Sequence, residues 1–358
     1  MSRVLIMAGG TGGHVFPALA VARQLRDAGT EVVWLGTRRG LEARLVPAAG
    51  FDLEAVAIRG ARRGGWVNWL LLPMRLAVAM FQAWRILRRR RPDAVLAMGG
   101  FVAGPGGLMT RVTRTPLLIH EQNAVAGLTN RWLAYVADVV MSGFPDAFGA
   151  LPGVRHVGNP VRAEILALPA PEERLTGRGG RLRVLVVGGS QGAQVFNQVI
   201  PQAVGLLPAG LRPEIRHQTG RKEQAQTERA YHAITDGARV AAFIDDMAEA
   251  YRWADLVVCR AGAMTIAELA AAGVASVLVP YPHAVDDHQT ANARFLAERE
   301  AAILLSQPEF TPARVAEVLT QLAGNRELLM KMAIHARGCA VPDATEAVAR
   351  LCEEAAHA

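Results

Sequence analysis

Apolar residues fall along this chain in two rhythms. Short runs without polar alternation, at residues 4–7 (Val-Leu-Ile-Met), 94–97, 184–187 (Val-Leu-Val-Val) and 256–259, have the character of parallel strands covered on both faces. Further strands are expected at 31–37, 53–58, 117–120, 139–142, 155–157, 214–218, 239–243 and 276–279. Most of the stretches between carry helical spacing, clearest at 312–323, 326–336 and 344–355. Strand alternating with helix predicts an α/β fold, a doubly wound parallel sheet whose functional loops lie at the carboxyl ends of its strands.

Those loops are unusual. The first strand runs into Ala8-Gly9-Gly10-Thr11-Gly12-Gly13-His14, with a helix expected from about Val15 and Pro17 tolerated in its first turn. Glycines there permit positive φ and let backbone N–H groups approach a bound group. The spacing is not Gly-x-Gly-x-x-Gly, and the next strand ends at Gly36-Thr37 without the acid that would hold an adenosine ribose, so a nicotinamide cofactor is disfavoured. A second glycine-rich turn runs from Met98 through Gly99, Gly100 and Phe101 to Gly107. After the strand at 117–120, His120-Glu121-Gln122-Asn123 puts four polar side chains in succession. That run is either chemistry or a satisfied hydrogen-bond cluster bracing the loops.

The opening design then recurs. Gly188-Gly189-Ser190-Gln191-Gly192-Ala193-Gln194-Val195-Phe196 again couples an apolar strand, a Gly-Gly-hydroxyl turn and Val-Phe entering a helix; the first copy, Gly9 to Phe16, is one residue shorter across the turn. Two copies predict two Rossmann-like domains, and the Pro, Gly and charge-rich stretch from Pro169 to Gly180 reads as their linker. The boundaries expected are 1–162 for the first domain, 163–341 for the second, and 342–358 as a carboxyl-terminal helix able to cross back to the first.

The second domain holds the strongest single stretch, residues 257–269 (Val-Val-Cys-Arg-Ala-Gly-Ala-Met-Thr-Ile-Ala-Glu-Leu). A helix beginning there aims unpaired N–H groups and its positive dipole end at the preceding turn, which makes an anion site. Glu268, about one turn past Met264, is placed to accept two hydrogen bonds from a sugar diol while the turn holds phosphate. A nucleotide suits both, although an ordinary strand-loop-helix unit with a solvated glutamate has the same pattern. Ile244, after the strand at 239–243, can flank a base.

Composition narrows the class. Of 358 residues 51% are hydrophobic and 20% charged, which excludes a disordered chain and suits two domains with their own cores. The net charge of +7 calls for an acidic partner: nucleic acid, anionic lipid or a phosphorylated small molecule. Three distant cysteines, Cys259, Cys339 and Cys352, indicate neither a disulfide framework nor a zinc site. The amino terminus enters a strand at once and lacks a signal-peptide pattern, which points to the cytoplasm. Residues 66–91, rich in Trp and Leu and closed by Arg85, Arg88, Arg89, Arg90 and Arg91, are too interrupted to span a bilayer. They read as an interfacial element with its arginines on anionic headgroups, or as a core helix with a solvated basic end.

Taken in order, the turns Gly9 to Pro17 and Met98 to Phe101, the run His120 to Asn123, Gly158-Asn159-Pro160-Val161-Arg162, Gly188 to Ala193 and Arg260 to Glu268 resemble one family over nearly the whole chain: the bacterial cell-wall MurG glycosyltransferases. These add N-acetylglucosamine to undecaprenyl-pyrophosphoryl-N-acetylmuramyl-pentapeptide in peptidoglycan synthesis. The resemblance implies a glycosyltransferase B fold, two Rossmann-like domains facing across a cleft, on the cytoplasmic face of the inner membrane as a peripheral protein bound to anionic lipid. It implies UDP-N-acetylglucosamine at Ser190, Ala263, Met264, Thr265, Ile266, Ala267 and Glu268, with Ile244 at uracil and Gln289 on the sugar. Asn123, Arg162, Thr11, Gly12 and Gly13 would reach the donor from the first domain, while Gly10, Gly12, Gly13, Gly99 and Gly100 suit the acceptor pyrophosphate. His288-Gln289 stands where relatives often carry two adjacent glutamines.

The reaction so implied inverts an α-linked donor into a β-glycoside by direct displacement. The acceptor C4 hydroxyl must lose a proton as it attacks, and UDP leaves with charge that wants helix N-termini and a cation. His14 is the expected base, since an imidazole with its ordinary pKa near 6.5 suits neutral pH; Glu121 is the rival. No Asp-x-Asp cluster is present, so neither metal nor cofactor is expected, and no nucleic acid partner. The alternatives are a UDP-N-acetylglucosamine 2-epimerase of the same fold, which would not need an aromatic-basic surface, and a non-catalytic nucleotide or lipid-binding protein.

Overall fold

The computed structural model describes residues 2–58, 72–189, 192–282 and 287–358. The chain divides into two compact units, residues 1–162 with 341–358, and residues 163–340.

In the first unit seven strands, β1 (Arg3–Met7), β2 (Glu31–Gly36), β3 (Asp52–Ala55), β4 (Ala94–Ala97), β5 (Leu117–Glu121), β6 (Val139–Ser142) and β7 (Val154–His156), form one parallel sheet in the order β3-β2-β1-β4-β5-β6-β7. Its helices are α1 (Gly12–Asp27), α2 (Glu42–Ala48), α3 (Leu72–Arg90), α4 (Ala103–Thr113) and α5 (Leu128–Leu133). The continuous apolar character of β1 has a direct cause. Val4 and Ile6 face a core shared with α1, and Leu5 and Met7 face the opposite core, which includes Ala83, Ile86 and Leu87 of α3. Each large side chain so buried contributes roughly 1.5–3 kcal/mol.

The second unit holds six parallel strands, β8 (Arg183–Val187), β9 (Glu214–Gln218), β10 (Ala238–Ala241), β11 (Leu256–Cys259), β12 (Ala275–Leu278) and β13 (Ala302–Leu304), in the order β10-β9-β8-β11-β12-β13. Its helices are α6 (Ala163–Leu166), α7 (Pro171–Leu175), α8 (Gln194–Leu206), α9 (Gln224–His232), α10 (Met247–Trp253), α11 (Ala263–Ala272), α12 (His288–Ala297), α13 (Pro312–Ala323) and α14 (Arg326–Gly338). At the amino end of β11 buried Asp255 receives Arg178 at 3.0 Å, Arg326 at 2.6 Å and the backbone N–H of Arg183 at 3.0 Å. This charge cluster staples the end of the sheet remote from the glycine turns. The last helix, α15 (Ala344–His357), packs its Val348, Leu351 and Cys352 into the same first-unit core as α1.

Several boundaries differ from those read in the sequence. Helix α1 begins at Gly12 rather than near Val15, because Thr11 is extended at φ −111° and ψ 159° and the glycines enter the first turn. Strand β3 occupies 52–55 rather than 53–58, and β10 stops at Ala241 rather than 243. Beyond β10 the chain turns to cap α10, whose Asp246 accepts the N–H of Glu249 at 2.8 Å. Strand β13 escapes the sequence pattern, being three residues long and partly exposed.

Helix α3 carries two faces. Ala79, Ala83, Ile86 and Leu87 form a buried stripe, while Met74, Val78 and Phe81 are exposed. At its basic end Arg89 and Arg90 lie 2.6 and 2.7 Å from Glu54 of β3, so those two guanidinium groups are held by the protein's own carboxylate. Trp66, Trp69 and Leu70 of the expected interfacial element lie outside the described residues.

Candidate functional site

Each sheet reverses its strand order once, and the loops flanking that reversal bear the polar residues. In the first unit the reversal falls between β1 and β4, where Met98 donates its N–H to Met7 O at 2.8 Å. The two glycine turns beyond interlock. Gly100, at φ +85°, lies so close that a Cβ would sit 2.3 Å from Gly9 O; a Cβ on Gly99, at φ +96°, would sit 2.7 Å from His14 Nδ1. Only glycine satisfies both the torsion and the approach.

Beneath the first turn lies a residue the sequence reading passed over. Glu42, fully buried in α2, accepts the N–H of Gly10 at 3.0 Å, the N–H of Thr37 at 3.0 Å and the Thr37 hydroxyl at 2.6 Å. In sequence it is an ordinary first-turn helix acid, and nothing local marks it. The N–H of Gly10 is therefore engaged by Glu42. Gly12 and Gly13 head α1, where the helical ladder supplies no acceptor, and Thr11 precedes them as an exposed N-cap.

The run after β5 converges on the same place. His14 Nδ1 lies 2.9 Å from Gln122 Oε1, Gln122 Nε2 lies 3.1 Å from both His120 Nδ1 and His120 O, and His120 Nε2 lies 2.9 Å from Gly158 O. Burial lowers the His120 imidazole to about 4, so the ring is neutral at pH 7. Asn159 donates to Gln122 O at 2.9 Å and fixes that backbone. Glu121 is differently engaged. Its carboxylate accepts the N–H of Asn123 at 2.9 Å, the side-chain amides of Asn123 at 3.1 Å and Asn130 at 2.9 Å, and the N–H of Gly127 at 3.0 Å. Buried and four-fold bonded, it is built to hold the loop, and Asn123 is oriented through it. Arg162 closes the first unit as a half-buried residue after Asn159-Pro160-Val161.

In the second unit the reversal falls between β8 and β11. Gly192, at φ +75°, is packed so that a Cβ would meet Thr219 O at 1.9 Å, and Gln218 donates to Gly189 O at 2.9 Å. Ser190, within this turn, lies outside the described residues. Across the reversal, extended Gly262 caps α11, so the N–H groups of Ala263, Met264 and Thr265 head its first turn, with Ile266 and Ala267 behind them. The preceding turn is braced by Asn292, which donates to Ala261 O at 3.1 Å, and by Arg260. The Arg260 guanidinium donates to Val279 O at 3.1 Å, Pro280 O at 3.0 Å and Gln307 Oε1 at 2.7 Å.

Glu268 is the sixth residue of α11, and its carboxylate accepts the Tyr251 hydroxyl at 3.1 Å. Tyr251, buried on α10, had no signal in the sequence. Burial, with Glu268 nearby, pushes the Cys259 thiol up to about 12, which removes it as a nucleophile. Gln289, second in α12, accepts the N–H of Tyr281 at 2.9 Å. Ile244 is not beside this turn along the sheet: it follows the edge strand β10, with β9 and β8 between it and β11.

Among the described residues no helix is long and apolar enough to cross a membrane. Exposed apolar residues recur on three successive helices of the first unit, α3 packing on α4 and α4 on α5: Phe81 on α3, Leu108 and Val112 on α4, and Leu128, Trp132 and Tyr135 on and beside α5. Trp132 is 69% and Tyr135 76% exposed. Arg85, Arg111, Arg114 and Arg131, on or next to the same helices, are also exposed. Only the first of these helices was anticipated.

The model of the glycosyltransferase family 28 N-terminal domain matches residues 4–142, and that of the glycosyltransferase family 28 C-terminal domain matches residues 183–348. The UDP-N-acetylglucosamine–N-acetylmuramyl-(pentapeptide) pyrophosphoryl-undecaprenol N-acetylglucosamine transferase of Marinobacter nauticus is 54% identical over 355 residues, covering 99% of this chain and 98% of its own. The enzyme of the same name from Halorhodospira halophila is 55% identical over 356 residues, covering 99% and 98%. The crystal structure of Acinetobacter baumannii MurG superposes with a TM-score of 0.86 at 43% identity, over 99% of this chain and all of that one.

Proposed function

The chain belongs to glycosyltransferase family 28 and within it to the MurG transferases, and from that membership we propose that it moves N-acetylglucosamine from UDP-N-acetylglucosamine to the C4 hydroxyl of N-acetylmuramyl-pentapeptide on undecaprenyl pyrophosphate. The observation that carries this reading is the full-length likeness to such transferases in a chain whose two sheets both present a glycine turn and a helix start at their reversal points.

The second unit is the donor unit of this proposal. The first turn of α11 takes the UDP diphosphate on Ala263, Met264 and Thr265 N–H groups, where the helix dipole also stabilises the charge that develops as UDP departs. Glu268 takes the ribose diol, its free orientation restricted by Tyr251. Gln289 serves the sugar hydroxyls, Ile244 the uracil ring, and Ser190 the diphosphate.

The first unit is the acceptor unit. Gly12 and Gly13 N–H groups, with the Gly99 turn beside them, suit the acceptor pyrophosphate. His14 is the general base: as the C4 oxygen attacks the anomeric carbon, its proton passes to the imidazole and the sugar–UDP bond breaks with its electron pair on the phosphate oxygen. The configuration at the anomeric carbon inverts. Glu121, with its lone pairs already committed, holds the loop instead of accepting the proton. The exposed apolar and arginine residues of α3, α4 and α5 dock the protein peripherally on anionic membrane, at the cytoplasmic face where the lipid acceptor is presented.

The test is transfer itself. Purified protein with UDP-N-acetylglucosamine should release UDP and yield a disaccharide lipid only when the lipid acceptor is present. Epimerised UDP-sugar without acceptor would instead indicate a 2-epimerase, and binding without turnover a non-catalytic protein.

A further inference from the structure

The hydrogen-bond chain behind His14 has a direction, and two backbone carbonyls impose it. A carbonyl only accepts. Gly158 O therefore requires His120 Nε2 to carry the hydrogen, at 2.9 Å, and the neutral His120 ring must then offer Nδ1 as an acceptor. His120 O independently requires that the Gln122 atom 3.1 Å away be the amide nitrogen, the same atom that donates to His120 Nδ1 at 3.1 Å. With the amide pinned by both, its oxygen faces His14 Nδ1 at 2.9 Å, and that nitrogen has to be the donor.

We propose that Gln122 and His120 are positioning residues that lock His14 as its Nδ1–H tautomer, leaving Nε2 as the proton-accepting atom of the ring. The proposal rests on the reading of His14 as the base and extends it to the groups that set its polarity. Within transfer, the C4 O–H bond breaks and its proton goes to His14 Nε2. The oxygen bonds the anomeric carbon, and the electron pair of the departing bond leaves with UDP. The imidazolium keeps its Nδ1–H on the Gln122 oxygen throughout and later returns the Nε2 proton to solvent.

The surroundings keep the chain from reversing. Burial holds His120 neutral, with its imidazole lowered to about 4, so it cannot become a donor at both nitrogens near neutral pH. Gly158 sits at φ +79° with a Cβ position only 2.5 Å from Val341 Cβ, and Asn159 ties the Gln122 backbone. Gly99 leaves no room for a side chain beneath the His14 ring. A neutral amide oxygen, unlike a carboxylate, orients the imidazole without adding negative charge beside the groups that must receive pyrophosphate.

The experiment is nitrogen-15 NMR of imidazole-labelled full-length protein at a pH where His14 is neutral, its signals identified by their loss in His14→Gln. The expected result is a protonated Nδ1 and a bare Nε2 for His14, and the opposite tautomer for His120. A protonated Nε2 on His14 in the unaltered protein overturns the proposal and needs no variant to fold. Gln122→Met, similar in shape, should release the tautomer and lower kcat about ten-fold or more while KM for UDP-N-acetylglucosamine stays within about two-fold. Unchanged kcat and an unchanged His14 tautomer in that variant also overturn it. His14→Ala separates the two claims: if its kcat is near normal the base assignment itself has failed, whereas a collapsed kcat beside an unaffected Gln122→Met protein defeats only the relay.

Discussion

Glu42 accepts the backbone N–H of Gly10 at 3.0 Å, and its side chain fills the space that a side chain on Gly9, Gly36 or Gly40 would need. The glycine turn of the first unit is thus shaped from below by a buried carboxylate as much as by its own torsions. Replacing Glu42 by Ala removes the acceptor of the Gly10 and Thr37 N–H groups and deletes a buried side chain, and the expected cost is about 2–4 kcal/mol of first-unit stability. Glu42→Gln keeps the volume but lets only one end accept, and should cost roughly half as much. Urea unfolding of the two variants checks this; equal stability of Glu42→Ala and the parent would remove the carboxylate's bracing role.

The exposed apolar cluster predicts a surface variant that releases the membrane without unfolding the chain. Phe81, Trp132 and Tyr135 are mostly exposed and none belongs to the first-unit core, so replacing all three by Ser should shift the thermal midpoint by no more than a few °C. Binding to vesicles containing anionic lipid should fall at least ten-fold. In the parent, binding should weaken as salt rises past the point where the screening length is about 8 Å. Co-sedimentation at several salt concentrations is the measurement, and undiminished binding of the triple variant would place the docking surface elsewhere.

How far the sequence foretold this structure depended on the range of each interaction. Strands β1 and β8 with their glycine turns could be read directly, since a strand buried on both faces is apolar throughout and the turn residues are adjacent in the chain. The reversal points depend on strand order, which only the folded sheets reveal. Glu42, Asn130, Asn159 and Tyr251 could not be read: each acts on a partner brought close only by folding, and each looks locally like a helix surface or turn residue. The run His120 to Asn123 lay between these cases. It announced buried polarity, but the partners its members take were set by folding: His120 and Gln122 lead to His14, while Glu121 fastens the loop.

Donor binding supplies a graded prediction on α11. Glu268→Ala removes the carboxylate proposed to hold the ribose diol and should weaken UDP binding about ten- to a hundred-fold, corresponding to charge-assisted hydrogen bonds of roughly 1.5–3 kcal/mol. Tyr251→Phe removes the hydroxyl that donates to Glu268 at 3.1 Å, and about a three-fold loss is expected. Calorimetric titration with UDP gives both values. An unaltered affinity in Glu268→Ala would move the ribose site away from α11.

Acid should loosen both units through one buried histidine that the described residues show in each. His120 is lowered to about 4 and His217 to about 3, in both cases chiefly because burial penalises the charged ring. An unfolded imidazole titrates near 6.5, so between that value and the folded one the unfolded chain binds more protons than the native chain, and stability rises with pH. The contribution is fully present above pH 6.5 and is lost progressively as pH falls toward the folded values. At 1.36 kcal/mol for each pH unit, the passage from pH 6.5 to 5 should cost each unit about 2 kcal/mol. His120 lies in the first unit and His217 in the second, where its Nδ1 meets the Tyr231 hydroxyl at 2.9 Å. Their effects can therefore be separated by following urea unfolding with a probe in each unit. His120→Asn should flatten the pH dependence of the first unit and leave that of the second, while His217→Asn should do the converse. If both variants kept the parental slopes between pH 6.5 and 5, the acid sensitivity would have to arise from other groups than these rings.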